Sequence, residues 1–203
     1  MSSTLTAIEL TYERTGKEVD LEPATRASCE PADYLQVHSL STTNKLETEE
    51  ALKIGVISDT HGLMRPQALE ALAGSDLILH AGDVGSPAIL EVLGTIAPVV
   101  AVRGNNDTGN WADKLRETEV IQAGGCHFYM LHNAKEMDVD PVTAGFRVVI
   151  SGHSHRPSHE ERAGVLYLNP GSAGPRRFKL PVAVARLQVN GSVIRAEIVQ
   201  LLV

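Results

Sequence analysis

Cysteine is scarce in this chain, with only Cys29 and Cys126 in 203 residues. They lie far apart in dissimilar surroundings, and a chain of this length builds a core without disulfide support. Reduced thiols in a cytosolic protein are the economical reading. Long apolar runs are missing too. No segment approaches the length needed to span a bilayer, and the opening Met1-Ser2-Ser3-Thr4-Leu5-Thr6-Ala7 has neither the basic stretch nor the apolar core of a signal peptide. The expectation is a soluble, cytoplasmic protein that does not enter membranes. Basic residues form one dense cluster, Arg176, Arg177 and Lys179. That removes the electrostatic case for wrapping duplex nucleic acid.

The charge that is present is uneven, and it marks a boundary. Residues 1–50 hold ten acidic side chains against four basic ones, and the remaining 153 hold fifteen against fourteen, so the net −7 belongs almost wholly to the N-terminal part. Ile8, Leu10 and Tyr12 alternate as in a strand, and Thr15-Gly16-Lys17 suits a turn, but Glu22 to Glu50 is rich in Ser, Thr, Glu and Pro. Residues 1–51 are therefore read as a mobile extension with room for one transient hairpin. Residues 52–203 are read as the folded domain.

That domain is organised around Lys53 to Gly62, K-I-G-V-I-S-D-T-H-G, where a buried-strand pattern stops at Asp59 and His61. Alone, the D-x-H triplet describes a turn with a capping Asp and a solvated His. The text downstream repeats the theme. A helix is predicted from Pro66, with Leu69, Leu72 and Ala73 on its inner stripe and Gly74 as its stop. Asp76 to Leu79 is the next strand and runs into His80-Ala81-Gly82-Asp83. Ser86-Pro87 caps and opens a second helix through Leu93, and Pro98 to Val102 is a third strand, ending in Arg103-Gly104-Asn105-Asn106-Asp107. Three successive βα units thus deliver ligand-type residues at strand ends. Parallel strands bring those ends to one edge, where Asp59, His61, Asp83 and Asn105 converge.

Further on, Glu119–Ala123 and Cys126–His132 flank Gly124-Gly125 as a hairpin that delivers His132. Asp138 to Ala144 is predicted as a short helix, and Arg147 to Ile150 as a buried strand running into Ser151-Gly152-His153-Ser154-His155. On an extended segment His153 and His155 point to opposite faces, serving two cations side by side, or they reach one cation through a bend. The remainder reads as antiparallel: Val165–Leu168, a tight Asn169-Pro170-Gly171-Ser172 loop, and Val182–Val189 paired with Val193–Leu201 across Asn190-Gly191.

Taken together, D-x-H at 59–61, G-D at 82–83, G-N-x-D at 104–107, a lone His at 132 and G-H-x-H at 152–155 resemble the calcineurin-like metallophosphoesterases. The N-P-G-S at 169–172 followed by Pro175-Arg176 narrows the likeness to the small single-domain YfcE-type phosphodiesterases. The resemblance covers Leu52 to Val203. It implies an α/β sandwich in which parallel βαβ units are followed by antiparallel strands, with helices on the outside. It also implies two divalent metal ions, Mn²⁺ first and Ni²⁺, Fe²⁺ or Zn²⁺ as alternatives. One would be held by Asp59, His61, Asp83 and His155 and the other by Asp83, Asn105, His132 and His153, with Asp83 bridging and Asp83, Asn105 and His132 counted as catalytic. The implied activity is hydrolysis of a small-molecule phosphodiester by hydroxide generated between cations roughly 3.5 to 4 Å apart. Phosphomonoester hydrolysis is the neighbouring alternative. The rival from another class is a noncatalytic scaffold, since a retromer subunit shares the fold, and homo-oligomerisation stays open. A structural zinc domain is disfavoured by the carboxylate-rich, cysteine-free ligand set.

Two positions depart from the wider pattern. Many relatives carry a histidine directly after the metal-binding Asn; here it is Asn106, which cannot donate a titrating proton. Asn133 follows His132 where relatives commonly have Gly, a place Asn tolerates if the backbone turns left-handed. Other polar residues have two readings each. His80 is either a partner behind a metal ligand or a satisfied, half-buried histidine, and Asn169 and Ser172 either contact the site or form an Asx turn. Arg176 and Arg177 either meet a substrate phosphate or form a solvated turn. His127 and His159 are read as surface residues, and His38 falls in the extension.

Overall fold

The computed structural model describes residues 51–203. The predicted mobility and hairpin of the N-terminal extension, Cys29 and His38 lie outside the described residues. Two five-stranded sheets face one another. The first takes the order β10-β9-β1-β2-β3, from β1 (Leu52–Ile57), β2 (Leu77–His80), β3 (Val99–Ala101), β9 (Ala183–Asn190) and β10 (Val193–Gln200). The second takes the order β4-β5-β6-β8-β7, from β4 (Thr118–Ala123), β5 (Cys126–Leu131), β6 (Val148–Ile150), β7 (Ser158–Arg162) and β8 (Val165–Asn169).

The core between the sheets joins Ile54, Val56, Leu79 and Leu187 of the first to Phe128, Met130, Val148 and Ile150 of the second. Strand periodicity decides which residues point there. Phe128 and Met130 face inward, while Tyr129 and Leu131 turn outward to a smaller cluster covered by Met137, Val139 and Phe146. The outer face of the first sheet carries α1 (Pro66–Leu72) and α2 (Pro87–Gly94), packed through Ile57, Ile78, Leu72 and Leu93. Both faces of that sheet are thus buried, the reason β1 and β2 read as continuous apolar runs. Among the described residues, no helix is long and apolar enough to cross a membrane.

Several expectations need correction. The inner stripe of α1 is Ala68, Ala71 and Leu72; Leu69 is only partly buried and Ala73 is exposed. Ser86 occupies the N-cap of α2 without donating or accepting a capping hydrogen bond from its side chain. Asp138 to Ala144 is not helical: Asp140 Oδ1 accepts from Val142 N and ties the segment into a turn, and the one helical turn nearby is 3-10, at Ala134–Glu136. The C-terminal half is not wholly antiparallel either. β8 runs parallel to β6 and antiparallel to β7. β7 itself, Ser158-His159-Glu160-Glu161-Arg162, is exposed along its whole length. It has no inward-facing apolar residue to signal a strand, and its charges suit an unpaired sheet edge.

Candidate metal centre

The predicted ligands converge: Asp59, His61, Asp83 and Asn105 come from one edge of the first sheet, as expected, and His132, His153 and His155 arrive from the second sheet. Asp59 and His61 follow β1, Asp83 follows β2 and Asn105 follows β3, while His132 follows β5 and His153 and His155 follow β6. Backbone hydrogen bonds carry the loops together beyond the strands. Asp59 N donates to Gly82 O at 3.0 Å, His61 N to Asp83 O at 2.9 Å, and Gly152 N to His132 O at 2.9 Å across the second sheet.

Two clusters of ligand atoms result, Asp59–His61–His155 and Asp59–Asp83–His132. His155 Nε2 lies 3.2 Å from Asp59 Oδ1 and 3.4 Å from His61 Nε2. His61 Nε2 stands 3.8 Å from Asp83 Oδ2, which is 3.4 Å from His132 Nε2. His153 and Asn105 form a separate pair at the exposed rim: His153 Nδ1 is 3.0 Å from Asn105 Oδ1, and its ring meets the His132 ring edge-on. His153 and His155 therefore lie on different sides of the site, brought there by a bend with left-handed backbone at both residues and not by strand alternation.

Two of the candidate ligand atoms are presented by hydrogen bonds to another atom of the same side chain. Asp59 Oδ2 accepts from Ser58 Oγ at 2.7 Å and from His153 N at 3.1 Å, which leaves Oδ1 buried and without a hydrogen-bond partner. His132 Nδ1 is 2.7 Å from the Ala81 carbonyl, an acceptor only, so the proton sits on Nδ1 and the equally buried, partnerless Nε2 offers a lone pair. Buried polar atoms with no partner are rare and call for an explanation. A divalent cation supplies one: two carboxylates with imidazoles form a mixed oxygen and nitrogen set suited to Mn²⁺, Fe²⁺, Ni²⁺ or Zn²⁺.

The backbone marks the same residues. Among the described residues, seven non-glycine residues have positive φ, and five of them are Asp59 (54°), His61 (47°), Asp83 (54°), His153 (63°) and His155 (55°). Left-handed backbone costs a residue with a Cβ roughly 1 kcal/mol or more and persists where the surroundings impose it, most often at functional sites. Glycines fill the gaps by absence of volume. A Cβ on Gly104 would stand 2.1 Å from Asp83 N, and one on Gly152 would stand 1.9 Å from Ser58 Oγ.

Charge follows the geometry. Burial alone would raise the Asp83 carboxyl, but contact with His132 and two donors from Asn106 outweigh it and hold it well below the usual carboxylate range. Burial would lower His132, yet Asp83 and the Ala81 carbonyl raise it. Burial lowers His61, outweighing the Asp83 and Asp59 carboxylates that act to raise it.

Supporting residues were partly legible. Asn169 does both things allowed for it: its Oδ1 accepts from Gly171 N in an Asx turn, and its Nδ2 donates to Gly152 O at 2.6 Å. Ser172 Oγ donates to Asp59 O at 2.9 Å. His80 is fully buried, not half-buried; its Nε2 lies 3.0 Å from Thr60 Oγ1, which donates on to Val84 O. Asn133 has φ −106° and ψ 107°, so the left-handed allowance was unnecessary. His127 and His159 are exposed, as are Arg176 and Arg177. Sequence reasoning assigned no role to Asp107, although it closes the G-N-x-D motif. It is buried and accepts from Gly85 N at 2.7 Å and Gly104 N at 2.8 Å, locking the loops after β2 and β3 together.

Comparison with known proteins agrees with this architecture. The sequence model for the calcineurin-like phosphoesterase superfamily domain matches residues 52–192. A probable metallophosphoesterase of Methanothermobacter thermautotrophicus is 38% identical over 158 residues, covering 72% of this chain and 91% of the relative. A phosphodiesterase of Methanocaldococcus jannaschii is 27% identical over 139 residues, covering 59% of this chain and 83% of that protein. Among solved structures, Chaetomium thermophilum Vps29 superposes with a TM-score of 0.61 at 21% identity, covering 74% of this chain and 97% of its own, a likeness of fold. With the family matched over most of the chain and its ligand motifs gathered at one place in the fold, this protein belongs to the calcineurin-like phosphoesterase superfamily.

Proposed function

We propose that the chain is a metal-dependent hydrolase of phosphodiesters, acting through a two-metal site built from Asp59, His61, Asp83, Asn105, His132, His153 and His155. The observation that carries the reading is the pair of buried, partnerless atoms Asp59 Oδ1 and His132 Nε2, whose residues form one cluster with Asp83. Asp59, His61 and His155 would hold one cation, His132 with Asn105 and His153 the other, and Asp83 would reach both. Divalent cations held by these residues would lower the pKa of a bound water from about 15.7 toward about 7 and would withdraw charge from the phosphoryl oxygens.

The protein's own groups position and hold charge. Asp83, kept ionised by its donors, supplies the anionic charge that two neighbouring cations require. In the overall reaction the oxygen of water bonds to phosphorus, the bond from phosphorus to the ester oxygen breaks, and a proton ends on the departing alcohol. Asn106 cannot supply that proton, which favours diesters whose alcohol leaves as a stable anion over monoesters with alkoxide leaving groups. The name of the Methanocaldococcus jannaschii relative supports the same substrate class.

The test is a panel of aryl and alkyl phosphodiesters and monoesters assayed with Mn²⁺, with His132→Ala as control. Diesters should turn over faster than monoesters, and the control should lose activity. No turnover of any diester by Mn²⁺-loaded protein would remove the hydrolase reading, and faster monoester turnover would keep the site and change the substrate class.

A further inference from the structure

A cavity of about 460 Å³ opens beside the His132 side of the site, with His132 and Asn105 in its wall. His132 is 5% exposed, and its Nε2 has no hydrogen-bond partner. The cavity therefore adjoins the candidate metal site. Its one lining cation, Arg103, is already matched: Nη2 lies 2.6 Å from Glu117 Oε1 and Nη1 3.8 Å from Asp113 Oδ1. Two lining carboxylates have only neutral partners. Glu136 Oε1 accepts from Asn133 Nδ2 at 2.8 Å, and Asp138 Oδ1 is 3.5 Å from the Tyr129 hydroxyl. Both side chains belong to exposed residues, so their charge faces the space a ligand would enter. The cavity is thus an anionic pocket.

A phosphodiester carries one negative charge, and two divalent cations provide for it. An anionic pocket adds nothing to that recognition and disfavours any second anionic group on the substrate. We propose that this cavity binds the ester substituent of the phosphate and selects a cationic amino alcohol, of the choline or ethanolamine type, over neutral or anionic substituents. The inference rests on the hydrolase reading and deepens it by naming the substrate class. The selection is electrostatic, so added salt weakens it.

Phosphomonoester products make the cleanest probe, because each has only one substituent to place. Inhibition of diester turnover in the Mn²⁺-loaded full chain should be roughly tenfold tighter by phosphocholine than by its uncharged carbon isostere, dimethylbutyl phosphate. Phosphoglycolate should be weaker than both. Glu136→Gln/Asp138→Asn should bring phosphocholine and its isostere to within about twofold, and Arg103→Gln, which releases Glu117, should widen their separation. If no diester is hydrolysed, the hydrolase reading falls and this inference with it. If diesters are hydrolysed but phosphocholine has no advantage over its isostere, or keeps that advantage in the double variant, this inference alone is overturned.

Discussion

Asn106 grips Asp83 with both of its donors: the backbone N meets Oδ1 at 2.8 Å and Nδ2 meets Oδ2 at 2.6 Å. The residue that stands where many relatives carry histidine is therefore a clamp on the carboxylate proposed to reach both cations. Groups that orient a metal ligand typically change metal affinity or activity by about 10- to 100-fold when removed. Asn106→Ala should weaken Mn²⁺ binding, read by calorimetry without substrate, by roughly tenfold. Asn106→His should help alkyl leaving groups more than p-nitrophenolate; equal effects on both would remove the leaving-group argument.

Asp83→Ala should lose bound metal outright. The test is metal content after purification without chelator, set against Asn105→Ala, which removes a ligand from only one of the proposed cations. Undiminished content in the Asp83 variant would sink its bridging assignment.

Gly104 and Gly152 are required for space, since neither has positive φ and an added Cβ at either would press on Asp83 or on Ser58 and Asp59. Overpacking of this kind typically costs about 1 to 3 kcal/mol. Gly152→Ala should lower the thermal midpoint by several degrees, and Ser58→Ala/Gly152→Ala should recover part of it by removing the nearest atom. Full stability in the single variant would contradict the close packing.

His80 gives the fold an acid-sensitive element. Burial pushes its pKa down to about 4, while the unfolded chain titrates near the ordinary 6.5. Between those values the unfolded state binds the extra proton, so stability falls as pH drops from 6.5 toward 4, by up to about 3 kcal/mol. Above 6.5 this residue adds no pH dependence. Urea unfolding followed across that range should show a shallower acid loss in His80→Gln, which cannot take up the proton. Parallel curves would show that other groups carry the acid sensitivity.

Residues 1–50 hold none of the proposed ligands, and β1 begins after them. Deleting Met1 to Glu50 should leave diester turnover within about twofold. A folded truncation with collapsed activity would assign the extension a part in the site.

The order and type of the elements around the ligands were readable because β1 and β2 are buried on both faces and β1, β2 and β3 are apolar runs that end abruptly in polar residues, a signal carried by local residue pattern alone. The motifs named all seven candidate ligands because ligand chemistry belongs to residue type. Asp107 escaped assignment because its role exists only across space, between two loops that it joins. β7 escaped because an exposed edge strand needs no apolar alternation, and Asp138–Ala144 was misread because turn and single-turn helix share the same capping chemistry. What only the tertiary structure decided was which face and which partner: that the ligands arrive from two sheets, that His61 and His155 stack while His153 turns to Asn105, and that Asn106 clamps Asp83. Positive φ at Asp59, His61, Asp83, His153 and His155 has the same origin, because an unfavourable local conformation is chosen by packing against the rest of the chain and leaves no mark on the residues themselves.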